Sequence, residues 1–285
     1  MTTALRRRGL DWLLNVYGLL ALVYLLLPIA VIIVFSFNHP VGRFNFIWNE
    51  FSLDSWKHPF AVPGVQDALK TSLEIAALST LIATALGTLT ALALVRYEFK
   101  ARSPVNFFIF IPLATPEVVL GAALLSQFLN WGTPQLGFAT ILIAHVMFNL
   151  SFVVITVRSR LIGFDRSLEE AAQDLGATPW ETFRLVTLPL IMPGVLAAGL
   201  LAFALSIDDF VITNFNSGST ITFPLFIWGA ARVAVPPQIY VIATMIFLFT
   251  VAMMILTVWQ QRRAERMAAV RPDDAELAAL EPAPA

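Results

Sequence analysis

Apolar and polar positions along this chain segregate into long blocks instead of alternating. Residues 13–37, between Asp11 and Arg43, carry no formal charge, and a helix of that length crosses a hydrocarbon core of about 30 Å. A second uncharged block covers residues 75–95. A third and fourth lie between Arg102 and Arg158, where Glu117 is the only acid. The turn-rich stretch Asn130-Trp-Gly-Thr-Pro-Gln-Leu-Gly137 divides those two. Blocks at 190–212 and 239–259 complete the series. The pattern predicts an all-α polytopic membrane protein with six transmembrane helices, and no block has the two-residue alternation of a membrane β-barrel. Arg6-Arg7-Arg8 precede the first block as in a signal peptide. That block exceeds the roughly 7–15 apolar residues of such a peptide, and no small-residue cleavage site follows. It reads as a retained first span.

Composition supports the same class. The 285 residues are 58% hydrophobic and 13% charged, with a mean hydropathy of +0.77, whereas soluble domains carry about 25% charge. A water-soluble enzyme, a nucleic-acid binder and a disordered chain are all disfavoured. With no cysteine there is no disulfide framework, thiolate metal site or cysteine nucleophile. The net charge of -1 hides an uneven distribution. With the N-terminus in the cytoplasm, 14 of the 18 lysines and arginines fall on the cytoplasmic side, leaving only Arg43, Lys57, Lys70 and Arg232 outside. This positive-inside bias puts both termini in the cytoplasm, and an odd number of spans would spoil it. The expected organisation is a cytoplasmic tail at 1–12, a six-span domain at 13–261 with a cytoplasmic loop at about 158–188, and a cytoplasmic tail at 262–285. That tail ends in Ala-Leu-Glu-Pro-Ala-Pro-Ala and reads as disordered.

The loop at 158–188 has internal structure. Ser167-Leu-Glu-Glu170 forms a capping-box pattern, with Ser167 at the N-cap and Glu170 three residues on. Leu168, Ala171, Ala172 and Leu175 share one helical face, and Gly176 is placed to end the helix in a left-handed conformation. Thr178, Pro179 and Glu181 start a second helix, expected to stop before Pro189. Two amphipathic helices of this kind can rest on a membrane surface. Glu169, Glu170, Asp174 and Glu181 are poor partners for anionic lipid, and an acidic surface with a small apolar seam suits a protein partner.

These residues carry a family resemblance. Glu170-Ala171-Ala172, Gly176 after three residues, and Val186-Thr187-Leu188-Pro189 after nine more resemble the E-A-A…G…I-x-L-P loop of permease subunits in binding-protein-dependent ABC importers. The one departure is Val186, where the family often has isoleucine. The resemblance implies a type I ABC importer permease fold. It also implies that Glu170, Ala171, Ala172, Gly176, Leu188 and Pro189 couple the membrane helices to an ATPase subunit, into whose groove the loop inserts.

The chain itself shows no ATPase. A phosphate-cradling loop needs G-x-x-x-x-G-K-S/T. The nearest stretch, Gly64-Val-Gln-Asp-Ala-Leu69-Lys70-Thr71, has Leu69 in place of the second glycine and falls on the external side. No catalytic residue, metal site or cofactor is expected, and ATP and magnesium would belong to the partner ATPase.

Acids inside the spans point to the cargo. Glu117 falls near the middle of the third block after Pro112 and Pro116, and Asp208-Asp209 lie towards the external end of the fifth. Charge at such depth faces a cavity or a partner, and no lysine or arginine lies in those spans to neutralise it. Glu117 reads either as a protonated interhelical hydrogen bond or as part of a substrate path. Asp208 and Asp209 read as a cation path, an interface or a gate. His145 reads as a packed, hydrogen-bonded residue, with no second histidine or carboxylate at ligand spacing. Trp48, Phe51 and Trp56 form an external aromatic group suited to packing or to a partner.

Pro116-Glu117-Val118-Val119-Leu120-Gly121 and Ser206-Ile207-Asp208-Asp209-Phe210-Val211-Ile212 resemble segments of spermidine/putrescine permease subunits. The stretch from Trp48 to Trp56, and Phe223-Pro224-Leu225 with Pro236-Pro237-Gln238-Ile239, are similar to the same group, so the resemblance runs over residues 13–261. It implies a polyamine importer subunit in the bacterial plasma (inner) membrane. Its partners would be ABC ATPase subunits, a second homologous permease subunit, an extracellular or periplasmic solute-binding protein and membrane lipid, with no nucleic acid. The substrate path would be Glu117, Asp208 and Asp209. An ABC permease for another small solute, an ion-coupled secondary transporter using Glu117 and a membrane-embedded enzyme are the rival readings. The last is poorly served by Asp208 and Asp209, which point about 100° apart on one helix.

Overall fold

The computed structural model describes residues 2–132 and 135–270. Thr133 and Pro134 of the expected turn, and residues 271–285 of the expected C-terminal tail, lie outside the described residues. The chain runs through α1 (Thr2–Phe35), α2 (Asp54–Lys57), α3 (Val65–Arg96), α4 (Arg102–Ala114), α5 (Glu117–Asn130), α6 (Phe138–Ile162), α7 (Ser167–Asp174) and α8 (Pro179–Thr182). A π-helical segment, Phe183–Thr187, leads into α9 (Leu188–Asp208), followed by α10 (Val211–Asn216), α11 (Phe223–Val233) and α12 (Pro237–Val270). Among the described residues the only strand pairing is two isolated bridges, Asn38 with Phe51 and Phe44 with Val235.

Four helices among the described residues are long and apolar enough to cross a membrane: Trp12–Phe35, Val65–Arg96, Phe138–Ile162 and Pro179–Asp208. α4 and α5 form a fifth span if their two arms are one. The sixth apolar block opens α12, whose part Pro237–Ala252 is apolar. The expected third span is thus not a single rod: α4 and α5 meet at 113°. Pro116 forces the preceding residue out of the helical region, and Thr115 is extended, with φ −87° and ψ 132°. Glu117 therefore opens α5 instead of sitting in mid-span. The fifth span also differs from expectation, because the helix does not stop before Pro189. The widened turn at Phe183–Thr187, where the Leu188 N–H donates to the Phe183 carbonyl, carries the chain past the proline ring that an ordinary helix would have to bend around.

The chain divides into two compact units, Met1–Val62 with Val233–Ala285, and Pro63–Arg232. In the first, α1 packs on α12, and the segment after α1 folds around two buried asparagines. Asn38 Nδ2 donates to Asn45 Oδ1 at 2.6 Å and to the Ile47 carbonyl at 2.8 Å, while Asn45 Nδ2 donates to the Phe35 carbonyl at 2.8 Å. Phe37 lies between Phe51 and Trp56, with ring centroids 5.8 and 5.1 Å away. Phe51 and Trp56 thus pack locally, and Phe51 and Trp48 also remain exposed.

The second unit is built on α3, α6 and α9. Lipid gives helices no hydrophobic reason to associate, so close approach through small residues takes over. Ser79, Ala83, Gly87 and Ala91 form one stripe of α3, and Ala198 and Ala202 are fully buried on α9. At Gly87 a Cβ would lie 2.5 Å from Val153 Cγ1 of α6, so α3 and α6 touch almost backbone to side chain. Ile191, Val153, Val154, Val157 and Leu94 fill the space between the three helices.

Candidate functional site: an exposed helical loop and a buried polar chain

Two regions of the second unit concentrate the chemistry. The first is the loop of α7, α8 and the π-helical segment. Its first start differs from expectation: Ser167 is the first helical residue, and its N–H donates to Asp165 Oδ1 at 3.0 Å. Asp165 lies two residues earlier and takes the capping role that Ser167 was expected to fill. The Ser167 backbone N–H, followed by its hydroxyl, holds the Asp165 carboxyl below its ordinary range. The end of α7 is as expected. Gly176 has φ +91°, its N–H donates to Gln173 O, and the Ala177 N–H donates to Ala172 O, the paired closure of a Schellman motif. The second start also follows the sequence. The Thr178 N–H donates to Glu181 Oε2 at 2.8 Å and the Glu181 N–H to Thr178 Oγ1 at 3.3 Å, with Pro179 in the first turn.

These turns bring motif residues together from distant positions. Leu168, Ala171 and Ala172 of α7, with Leu175 just after it, line a hollow of about 530 Å³ together with Leu185, Val186, Pro189 and Leu190. Leu175 is 90% exposed and Leu185 70%, so the hollow carries exposed apolar surface of the kind that marks an interaction site. Glu170 is exposed, while Glu169 turns inward and is only 9% exposed. Leu188, half-buried, follows the π-helical segment. Glu169 accepts from Arg96 at the end of α3 and from the fully buried hydroxyl of Thr187. Residue spacing carries no sign of this junction, because Arg96 lies 73 residues from Glu169.

The second region surrounds His145 on α6. Its Nδ1 is 2.7 Å from Ser206 Oγ, and its Nε2 is 2.9 Å from Thr213 Oγ1 and 3.3 Å from Asp209 Oδ2. Ser79 Oγ of α3 lies 3.0 Å from Ser206 Oγ, and Thr213 Oγ1 donates to Asp209 Oδ2 at 2.7 Å. A neutral imidazole with its proton on Nε2 satisfies every member, from the Ser79 hydroxyl through Ser206, His145 and Thr213 to the carboxylate. His145 is packed and hydrogen-bonded as expected, but it does have a carboxylate neighbour. The pairing crosses from α6 to the start of α10, beyond what residue spacing reveals.

The three acids of the expected substrate path separate by environment. Asp209 is turned inward, with its side chain 6% exposed, and it caps α10 by accepting from the N–H groups of Ile212 and Thr213. Asp208, the last residue of α9, is exposed. Glu117 is exposed at the start of α5 and makes no hydrogen bond or ion pair with a described side chain. α5 and α10 pack together at Gly121, where a Cβ would lie 2.7 Å from Phe215 Cδ2. Among the described residues no group of three histidines or acids is placed to hold a metal ion.

Long apolar helices, a span bent before Pro116 and an exposed helical loop define a polytopic α-helical membrane protein. The chain belongs to the binding-protein-dependent transport system inner membrane component family, whose profile matches residues 83–266. It is 39% identical over 233 residues to the spermidine/putrescine transport system permease protein PotC of Escherichia coli (strain K12), covering 81% of this chain and 87% of that one. It is 37% identical over 236 residues to the putrescine transport system permease protein PotI of the same organism, covering 80% and 83%. Among solved structures, a bacterial ABC transporter involved in the import of the acidic polysaccharide alginate matches with a TM-score of 0.64 at 18% identity, over 92% of this chain and 96% of that one. The fold is that of type I ABC importer permeases.

Proposed function

We propose that this chain is the polyamine-translocating permease subunit of an ABC importer, taking up spermidine or putrescine by alternating access. It works beside a second homologous permease, with ATPase subunits on the cytoplasmic face and a solute-binding protein on the other. Support for the substrate comes from the 39% identity with PotC over most of both chains. The chain hydrolyses no ATP itself, and ATP with magnesium is bound by the partner. Both termini and the loop at about 158–188 face the cytoplasm of a bacterial inner membrane, within the domain limits expected from the sequence.

The observation that carries the mechanism is the convergence of Ala171 and Ala172 with Pro189 around one exposed apolar hollow. This apolar seam, on a helix that carries the exposed Glu170 and ends at Gly176, offers a partner a surface that small side chains let it approach closely. When ATP closes the ATPase dimer, α7 and α8 move with it and the cavity opens outward. Hydrolysis returns the inward-facing state. Asp208 and Glu117, both exposed, exchange water for carboxylate contacts along the path of a di- or triammonium cargo, while Asp209 holds the start of α10. A path that must release its cargo binds it loosely, so tight recognition belongs to the solute-binding protein.

The test is the complete complex in proteoliposomes, with ATPase rate and labelled uptake measured together. Spermidine- or putrescine-loaded binding protein should raise both. Uptake of a neutral solute with no response to either polyamine would remove the substrate assignment. Uptake that persists without ATP and collapses with an ion gradient would favour the ion-coupled reading.

A further inference from the structure

We propose that α3 is the rigid lever of this permease, and that Arg96, Glu169 and Thr187 form the junction through which the docking loop moves it. The proposal rests on the reading of the loop as an ATPase-docking device. Two routes lead from α7 into the membrane-spanning helices. The covalent route passes through α8 and the π-helical segment into α9, and it is soft. Its hydrogen bonding is widened at Phe183–Thr187, and Pro189 and Pro193 each remove a backbone donor from the following turns.

The other route is through space. The Arg96 guanidinium, at the last residue of α3, donates to Glu169, and the Thr187 hydroxyl donates to the same carboxylate oxygen. The Arg96 and Glu169 side chains are 24% and 12% exposed, so little water is at hand to replace either partner, and breaking such a pair from one side is strongly unfavourable. A second tie lies beside it: Arg166 Nη2, just before α7, donates to the Val95 carbonyl at 3.1 Å. α3 itself runs 32 residues with no proline inside. From Arg96 it reaches about 25 Å along its axis to Ser79, which meets Ser206 and thereby the chain ending at Asp209. A displacement of α7 is delivered to α3 through Arg96 and the Val95 carbonyl, while Thr187 holds the same Glu169 carboxylate at the end of the π-helical segment. Glu169 and Glu170 thus divide the work. Adjacent residues on a helix point about 100° apart, one outward to the docking partner and one inward to the lever.

The experiment uses the whole complex with both permeases, ATPase and binding protein, and reads labelled solute carried per ATP hydrolysed. Glu169→Gln and Arg96→Gln should each lower that ratio about tenfold, with the ATPase still co-purifying and its unstimulated rate unchanged. The exchanged pair, Arg96→Glu with Glu169→Arg, should recover most of it, which a generally loosened fold would not do. An unchanged ratio in both single variants, or a fall that the exchange does not reverse, would overturn the proposal. So would loss of the ATPase from the single variants, because Glu169 would then serve docking itself. Leu175→Glu separates the two readings. It should release the ATPase, and a complex that stays bound and stimulated would remove the docking assignment whatever the ratio in the other variants.

Discussion

Asp208 and Asp209 are neighbours with opposite surroundings, and their replacement should have opposite effects. Asp209→Ala removes the acceptor for the Thr213 N–H and hydroxyl and for the Ile212 N–H, leaving buried donors unpaired at a cost of about 3 kcal/mol. The solubilised subunit should melt at a clearly lower temperature. Asp208→Asn should leave the melting temperature unchanged and weaken polyamine uptake. A second prediction concerns pH at the loop of α7 and α8. The Thr178 backbone N–H, followed by its hydroxyl, holds the Glu181 carboxyl below its ordinary value of 4.5. A lowered folded value means that the capping contribution is complete above the ordinary value and is lost as pH falls through the lowered one. Amide-exchange protection of residues 178–182, corrected for intrinsic rates, should therefore decline on acidification below that value. Glu181→Gln should flatten the decline. The acidic pair was visible in the sequence, but its division of labour was not, because Asp209's partners come from α6 and α10.

At the scale of helices, the close approach of α3 and α6 sets a sharp expectation. Gly87→Ala would put a methyl group 2.5 Å from Val153 Cγ1 and 2.8 Å from its Cβ, and overpacking of this kind costs about 1–3 kcal/mol. Val153→Ala in the same chain should recover part of the loss, as read by thermal unfolding of single and double variants. The long apolar helices were legible because an apolar stretch of about twenty residues without a charge matches the thickness of a bilayer core. The second loop start was legible because Thr178, Pro179 and Glu181 satisfy one another locally. The α7 start was not, because Asp165 competes for the same N–H from two residues away. Pro112 and Pro116 marked a disturbance, but not its 113° angle or the packing of α5 against α10, a contact distant in sequence.

For the molecule as a whole, the distribution of basic residues makes topology testable. Alkaline phosphatase fused after residue 60 should be active in cells, and fused after residue 166 it should be inactive. A fluorescent protein at the C-terminus should fold and emit. The opposite pattern would invert the orientation and with it the assignment of the loop to the ATPase side. Class, loop and family were legible at this scale because they rest on charge, spacing and local caps, all carried by neighbours in the chain. The Arg96–Glu169–Thr187 junction and the Ser79–Asp209 chain exist only once α3, α6 and α9 are assembled.

The π-helical turn at Phe183–Thr187 also fixes the phase of everything after it. It holds one residue more than an α-helical turn needs. Deleting a single residue there would heal the helix into regular α geometry and leave its helical content almost untouched. Yet α9 would then rotate by about 100° and slide by about 1.5 Å relative to α7 and α8. Ala198 and Ala202, fully buried against the neighbouring helices, would swing out of the seam. One extra residue therefore acts as a spacer that sets the register between the loop and the buried face of α9.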